Sequence, residues 1–193
     1  MNFQPAKLLK LAVATAVFAS QAVFAAPVTF SGALTTQDPQ FNRPVSLSGL
    51  SGVGTAAYYD VYSFYVSANG TYSMESTSFS GLDADTYFAL YRTQFSASTP
   101  LTNLIAIDDD GGAGNLSLIN TVLTANTQYF LVLTTFSNGI TGNYTGVFST
   151  TVGNGQVTLG ALPAPSAVPE PGSLALLGLA LAGLSVARRR SSR

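Results

Sequence analysis

The residues most able to do chemistry in this 193-residue chain are five aspartates in two short stretches. Asp83 and Asp85 are two positions apart, so in extended chain their carboxylates point to the same side. Asp108, Asp109 and Asp110 follow one another, and two glycines come next, which permit the tight backbone path that carbonyl ligands need. If the fold brings both stretches together, a hard divalent cation would relieve their repulsion, and Ca²⁺, which takes about 6–8 oxygen ligands, suits carboxylates.

The same aspartates fit two further roles, and both stay open. Aspartate is common in turns because its carboxylate accepts backbone N–H bonds, and the spacing here does not match an EF-hand loop. Asp83 with Asp108 or Asp110 has the composition of a glycosidase pair. A chain this short with no tryptophan is poorly suited to shape the substrate cleft that such an enzyme needs.

Histidine and cysteine are both absent from the chain. Their absence excludes Ser-His and Cys-His nucleophilic pairs and disfavours zinc and copper, so we predict no catalytic residue. Between residues 26 and 167, eight acidic side chains oppose only Arg43 and Arg92, a net charge of −6. This balance argues against nucleic acid or anionic lipid as a partner.

Two adjacent aromatic residues, Tyr58 and Tyr59, offer a different chemistry. Tyrosine rings can stack on sugar rings, which would suit a carbohydrate-binding surface. Tyrosines on strands also form cross-strand pairs or line the edge of a core. Both interpretations stay open.

The elements that must position these residues are short strands. Apolar residues alternate in 60–66, which places Tyr62, Phe64 and Val66 on one face. Asn69-Gly70 then predicts a hairpin turn that returns the chain, with Tyr72 and Met74 facing inward. Further strands are predicted around 28–30, 45–47, 87–91, 104–107, 119–123, 129–134 and 144–148, and a flexible glycine-serine loop at 49–54.

Both ends of the chain have the composition of targeting segments. Basic residues precede an apolar run at 11–24, which predicts a signal peptide over 1–25, cleaved after Ala25. Residues 26–159 are long enough for one domain with its own core. Residues 160–171 form a proline-rich linker, and residues 172–193 are predicted to be a transmembrane helix with a basic tail.

The last residues contain three parts in order: Pro169-Glu170-Pro171, the apolar run 174–187, and Arg188-Arg189-Arg190. The prolines keep the motif extended, the run is about 21 Å long as a helix, and the arginines cannot cross a bilayer. This tail resembles the PEP-CTERM sorting signal of Gram-negative bacteria. The resemblance implies cleavage by an exosortase, an inner-membrane intermediate, and delivery to the cell surface or exopolysaccharide matrix. A plain membrane anchor is the alternative.

The middle of the chain resembles the bacterial pre-peptidase C-terminal domain. The resemblance is carried by the segments 60–64, 82–91, 107–112 and 123–132, with 142–144 behind them. It implies a jelly-roll-like sandwich that is secreted, is not catalytic, and sometimes binds calcium or a polymeric substrate.

We therefore expect an all-β protein, an antiparallel jelly-roll-like β-sandwich flanked by a signal-peptide helix and a C-terminal hydrophobic helix. The expected function is that of an exported, non-enzymatic component of the cell surface or of the extracellular matrix of a biofilm, sorted by an exosortase. A calcium- or carbohydrate-binding module at the cell surface is the alternative, and a small secreted hydrolase is the least supported.

Overall fold

A computed structural model describes residues 25–164 of the chain. The predicted signal-peptide helix and the predicted C-terminal helix lie outside these residues. The described part is built of strands, which confirms the all-β prediction, and its one helical element is a 3-10 turn at Leu82–Ala84. Within 25–164 no helix has the length and apolar character needed to cross a membrane. The chain divides into two compact units between Ala161 and Leu162, and the strands all belong to the first.

Thirteen strands cover the described residues. In chain order they are β1 (Val28–Leu34), β2 (Gln40–Phe41), β3 (Pro44–Ser46), β4 (Gly49–Leu50), β5 (Ala57–Tyr58), β6 (Asp60–Val66), β7 (Gly70–Phe79), β8 (Thr86–Arg92), β9 (Leu104–Asp108), β10 (Leu118–Leu123), β11 (Tyr129–Thr135), β12 (Gly142–Val152) and β13 (Val157–Leu159). The predicted strands thus form near their expected positions, whereas the short strands β2, β4, β5 and β13 were not predicted.

The strands form two larger sheets and two small ones, and every pairing is antiparallel. The four-stranded sheet has the order β1-β12-β7-β10, and the five-stranded sheet has the order β13-β6-β11-β8-β9. The small sheets are β2-β5 and β3-β4. The strand predicted around 28–30 is β1, which lies at an edge of its sheet because it pairs only with β12.

One hydrophobic core joins the inner faces of the two larger sheets. Phe64 of β6 and Phe148 of β12 have ring centroids 4.8 Å apart, and Phe30 of β1 lies 4.6 Å from Tyr62 of β6. Each of these residues occupies an alternate position along its strand, which is why the period of two in the sequence identified the inward face. The two sheets therefore bury their apolar faces against each other.

The five-stranded sheet is covered on its other face as well. Phe41 of β2 packs there with Tyr91 of β8 and Val132 of β11, and the ring of Phe95 meets that of Tyr91 at 4.8 Å. Residues 86–91 are consequently buried at every position. A strand that is buried on both faces needs a nearly continuous apolar run, which accounts for the sequence of β8.

The predicted hairpin at Asn69-Gly70 is wrong. Neither residue has a positive φ, and β6 pairs with β11 and β13 whereas β7 pairs with β12 and β10. The short connection instead carries the chain from one sheet to the other, and there the Tyr72 hydroxyl donates to the carbonyl of Ala68 at 2.7 Å. Inward positions for Tyr72 and Met74 are confirmed. Alternation identifies which side chains face the core, but it does not identify the neighbouring strand.

The glycine-serine segment predicted as a flexible loop has a defined structure. It contains β4, and the Ser51 hydroxyl accepts the N–H groups of Val53 and Gly54 at 3.1 and 2.9 Å. The backbone of Arg43 makes two hydrogen bonds to the segment: its N–H donates to the carbonyl of Gly54, and its carbonyl accepts the N–H of Ser51. Hydrogen bonds that the sequence pattern does not reveal hold this loop in place.

Candidate functional site

The two aspartate stretches meet because β8 and β9 are antiparallel neighbours. Asp85 immediately precedes β8, and Asp108 is the last residue of β9. The register pairs Phe88 with Asp108, so the start of β8 and the end of β9 lie at the same end of the sheet. A buried bridge fixes the loop after β9 against this end, because the N–H of Ser117 donates to the hydroxyl of Thr86 at 2.9 Å.

Three of the five aspartates come together, namely Asp85, Asp109 and Asp110. Each offers a carboxylate oxygen within 4.8 Å of the oxygens of the other two. Asp83 and Asp108 are not part of this group. The group, which we call the acidic triad, has the donor chemistry of a site for a hard cation, because it consists only of carboxylate oxygens.

Asp108 has a structural role in the turn. Its Oδ2 accepts the N–H of Gly111 at 2.9 Å and the N–H of Leu118 at 2.7 Å. A Cβ at Gly111 would lie 2.6 Å from Oδ1 of Asp108, so the turn depends on glycine at that position. Asp108 therefore shapes the loop that carries Asp109 and Asp110, as the turn interpretation of the sequence expects.

Asp83 lies in the 3-10 turn rather than in extended chain. Its φ is 61° and that of Ala84 is 49°, so two consecutive non-glycine residues adopt the left-handed region. The side-chain amide of Asn115 donates to the carbonyl of Asp83 at 3.2 Å. The expectation from the two-residue spacing requires a strand and does not apply to this turn; Asp83 lies outside the acidic triad, although its charge, after burial and the charge of Asp110, still contributes to the raised pKa of Asp85.

The acidic triad contains two carboxylate oxygens that are buried without a partner. They are Oδ1 of Asp85 and Oδ1 of Asp109. Burial, followed by the charges of Asp110 and Asp85, raises the pKa of Asp109 to about 6. Burial also raises the pKa of Asp85, with a smaller contribution from Asp110. Buried acceptors normally have a donor or an ion, so these oxygens are the strongest sign of an incomplete site among the described residues.

Arg43 is a residue of this region that the sequence reasoning did not single out. Its side chain is 1% exposed, and its guanidinium carbon lies 4.0 Å from the ring centroid of Tyr87 and 4.6 Å from that of Phe136. Nε donates to the carbonyl of Phe136 at 3.0 Å. Its charge lowers the pKa values of Asp85 and Asp109, yet both remain raised. Arg43 therefore compensates the acidic triad only in part.

One signal in the sequence could have identified Arg43. It is one of only two basic residues between 26 and 167, in a segment without any other charge from Gln40 to Tyr59. An isolated arginine of this kind is either exposed for solubility or buried with specific partners, and only the packing distinguishes the two cases.

The two tyrosines proposed for sugar stacking lie against different clusters. Tyr58 packs against the core between the sheets, whereas Tyr59 packs with Phe41 and Phe95 at centroid distances of 4.9 and 5.3 Å. Tyr58 is the last residue of β5, whereas Tyr59 lies between β5 and β6. A sugar-binding role for them stays a prediction, and the rings do not form one shared platform.

A comparison with protein families matches residues 167–191 to the PEP-CTERM protein-sorting motif. The matched range contains Pro169, Glu170 and Pro171 as well as the three arginines 188–190, and it lies outside the described residues. The motif implies that the chain is exported and sorted to the cell surface by an exosortase. No curated protein matches the chain.

Proposed function

We propose that this protein is an exported, non-enzymatic component of the cell surface or of the extracellular matrix. The observation that carries the proposal is the sorting motif at 167–191, which follows a sheet-built unit with its own core. In this proposal an exosortase-like enzyme cleaves near Pro169-Glu170-Pro171 after a stage in the inner membrane. The sheet-built unit is then the delivered part, and exopolysaccharide is its proposed surroundings.

Two features support a non-enzymatic role. The chain contains no histidine and no cysteine, so the usual nucleophile–base pairs are excluded. Asp108, one of the carboxylates considered for a glycosidase pair, already accepts two backbone N–H groups through Oδ2. A carboxylate engaged in this way is a poor general acid or nucleophile.

We further propose kinship with the pre-peptidase C-terminal domains and a jelly-roll-like sandwich. The segments that carry the resemblance correspond to β6, β8 with the 3-10 turn before it, the turn after β9, β11 and the start of β12. β6, β8 and β11 belong to the five-stranded sheet, β12 belongs to the four-stranded sheet, and the residues just before β8 and just after β9 form the acidic triad. Most of the segments that resemble the family are therefore strands or turns of the sheet that carries the acidic triad.

The sorting part of the proposal is tested by fractionation of expressing cells and mass spectrometry of the exported form. We expect an N-terminus at Ala26 and a C-terminus near the motif. Alanine at all of Pro169, Glu170 and Pro171 should leave the full tail in the inner membrane, whereas Pro163→Ala, outside the matched residues, should not. Stable membrane retention of the unprocessed wild-type tail would contradict the proposal.

A second candidate function, calcium binding, is favoured by one specific observation. Oδ1 of Asp85 and Oδ1 of Asp109 are buried and unpartnered, and Asp110 brings a third carboxylate within 4.8 Å. Bound Ca²⁺ would supply the positive charge that Arg43 supplies only in part. Such an ion would fasten the loop after β9 to the start of β8, and it would stabilise the domain outside the cell.

A further inference from the structure

Exposed aliphatic side chains are concentrated in one short segment of the described chain. Val45, Leu47, Leu50 and Val53 are 54%, 56%, 43% and 51% exposed, and they lie within nine consecutive residues. The remaining large exposed aliphatics lie elsewhere in the described chain, and two of them, Val122 and Val152, both lie opposite Thr71 of β7. We call residues 44–53, which contain β3, β4 and the turn after them, the apolar hairpin. Single exposed aliphatics are ordinary on protein surfaces, whereas the largest apolar patch of a monomer, about 300–600 Å², is often a contact surface.

The apolar hairpin is held on a firm base. Arg43 donates its N–H to Gly54 at 2.9 Å and accepts that of Ser51 at 2.8 Å, so the hairpin is closed at its root. The Arg43 side chain is clamped between the rings of Tyr87 and Phe136. The hairpin pairs only with itself, as β3 with β4. The structure therefore presents exposed apolar side chains on a supported hairpin, although the hydrophobic effect would favour their burial.

The area of the apolar hairpin is too small for a stable protein interface. About half of each of four aliphatic side chains is exposed, on the order of 300 Å² in total, whereas a specific dimer buries about 800 Å² per partner. The segment 44–59 also contains no charged residue and several serines. Small aliphatic tips without charge can enter the headgroup region of a bilayer without the cost of desolvating an ion.

We propose that the apolar hairpin docks onto the surface of a bilayer of uncharged or zwitterionic lipid. The inference rests on the proposed function, in which the C-terminal run 174–187 is held in a membrane before the exosortase-like enzyme cleaves the chain. Ala164 and Leu174 are ten positions apart in the chain and therefore at most about 35 Å apart, so this tether keeps the bilayer within reach of the first unit. The net charge of −6 over 26–167 disfavours anionic lipid. Docking orients the unit while the enzyme acts on the motif.

The absence of cysteine permits a direct test in the full chain. Leu47→Cys is labelled with an environment-sensitive fluorophore, and the protein is reconstituted into phosphatidylcholine vesicles with or without spin-labelled acyl chains as quenchers. The matched control is Val122→Cys, because Val122 is 68% exposed on the edge strand β10. Both positions are exposed, so neither label disturbs the core, and far-UV circular dichroism verifies folding.

We expect the label at position 47 to shift to the blue and to be quenched by the lipid, and the label at 122 to do neither. Adding Leu50→Ser and Val53→Ser should lower the docked fraction by roughly tenfold or more, since half-buried aliphatics contribute several-fold each. A blue shift without lipid quenching would mean that a second copy or the tail covers the hairpin, and it would overturn the proposal. Equal signals at 47 and 122 in floated vesicles would also overturn it, whereas protein that does not float at all would refute the membrane stage itself.

Discussion

Calcium should raise the melting temperature of the protein if the acidic triad is a cation site. A ligand at 100 times its Kd stabilises the native state by about 2.7 kcal/mol. For a folded unit of this size, 1 kcal/mol corresponds to about 3 °C, so the expected increase at pH 7.5 is roughly 8 °C. Differential scanning calorimetry of the exported form, in calcium and in EGTA, measures it directly.

The size of this increase should depend on pH, because Asp109 has a pKa of about 6. At pH 5 most of this carboxylate is protonated, and calcium must displace the proton. One pH unit below the pKa weakens the apparent affinity about tenfold, which removes about 1.4 kcal/mol at the same calcium concentration. The increase in melting temperature should therefore fall to about half of its value at pH 7.5.

Without calcium, the raised pKa of Asp109 makes the protein less stable as the pH rises. A carboxyl group whose folded pKa is raised contributes stability that is complete below its ordinary value of 3.8 and is lost as the pH rises through about 6. After a discount for solvent screening, the loss is on the order of 1 kcal/mol. In EGTA at pH 7.5, Asp109→Asn should thus be more stable than the wild type by about this amount.

Asp109→Asn should also abolish most of the increase in melting temperature that calcium causes. The variant should therefore be more stable than the wild type in EGTA and less stable than the wild type in calcium. Glu75→Gln, which removes one charge from the four-stranded sheet, is the control and should keep the full calcium response. A melting temperature of the wild type that is identical in calcium and EGTA at pH 7.5 would refute the reasoning, as would an unchanged response of Asp109→Asn.

Three further predictions concern the support of the site, each measured by urea unfolding. Asp108→Ala should lower the free energy of unfolding by about 1–3 kcal/mol in EGTA, because two N–H groups lose their acceptor, and by at least as much in calcium, because Asp108 shapes the loop that carries Asp109 and Asp110; a loss confined to calcium would place Asp108 among the ligands. Arg43→Met should cost about 2–4 kcal/mol, whereas Met at the exposed Arg92 should cost less than about 0.5 kcal/mol; equal costs would contradict the buried clamp. Gly54→Ala should cost about 1–3 kcal/mol, since its Cβ would lie 2.5 Å from Nε of Arg43, and Gly52→Ala, with open space around it, should be neutral.

Much of the strand content could be predicted from the sequence, because alternation is a local property. Tyr62, Phe64 and Val66 occupy alternate positions of β6, so their side chains lie on the same face of the strand whichever strands β6 pairs with. The partner of β6 could not be predicted in this way. The turn signal Asn69-Gly70 predicted that β6 pairs with β7. The two strands instead belong to different sheets, and their apolar faces meet across the same core. Alternating apolar residues are equally compatible with both arrangements.

The candidate site was predictable as a region but not as a set of ligands. Five aspartates in two stretches indicated that these loops matter, and antiparallel pairing of β8 with β9 brings both stretches to one end. Within that end, backbone N–H groups engage Asp108, and Asp83 lies in the 3-10 turn, outside the acidic triad. These assignments depend on the backbone path of each loop, which residue types alone do not specify.

The sequence by itself determined the sorting motif, the absence of imidazole and thiol chemistry, and the all-β character of the domain. Each of these is a property of composition or of residues close together in the chain, and a processing enzyme reads such a motif as a linear segment. Only the tertiary structure decided that Asp85, Asp109 and Asp110 meet, that Arg43 is buried near them, and that the hairpin at 44–53 is held by backbone bonds to Arg43. Those contacts join residues far apart in sequence, and their energies depend on the packing of both sheets together.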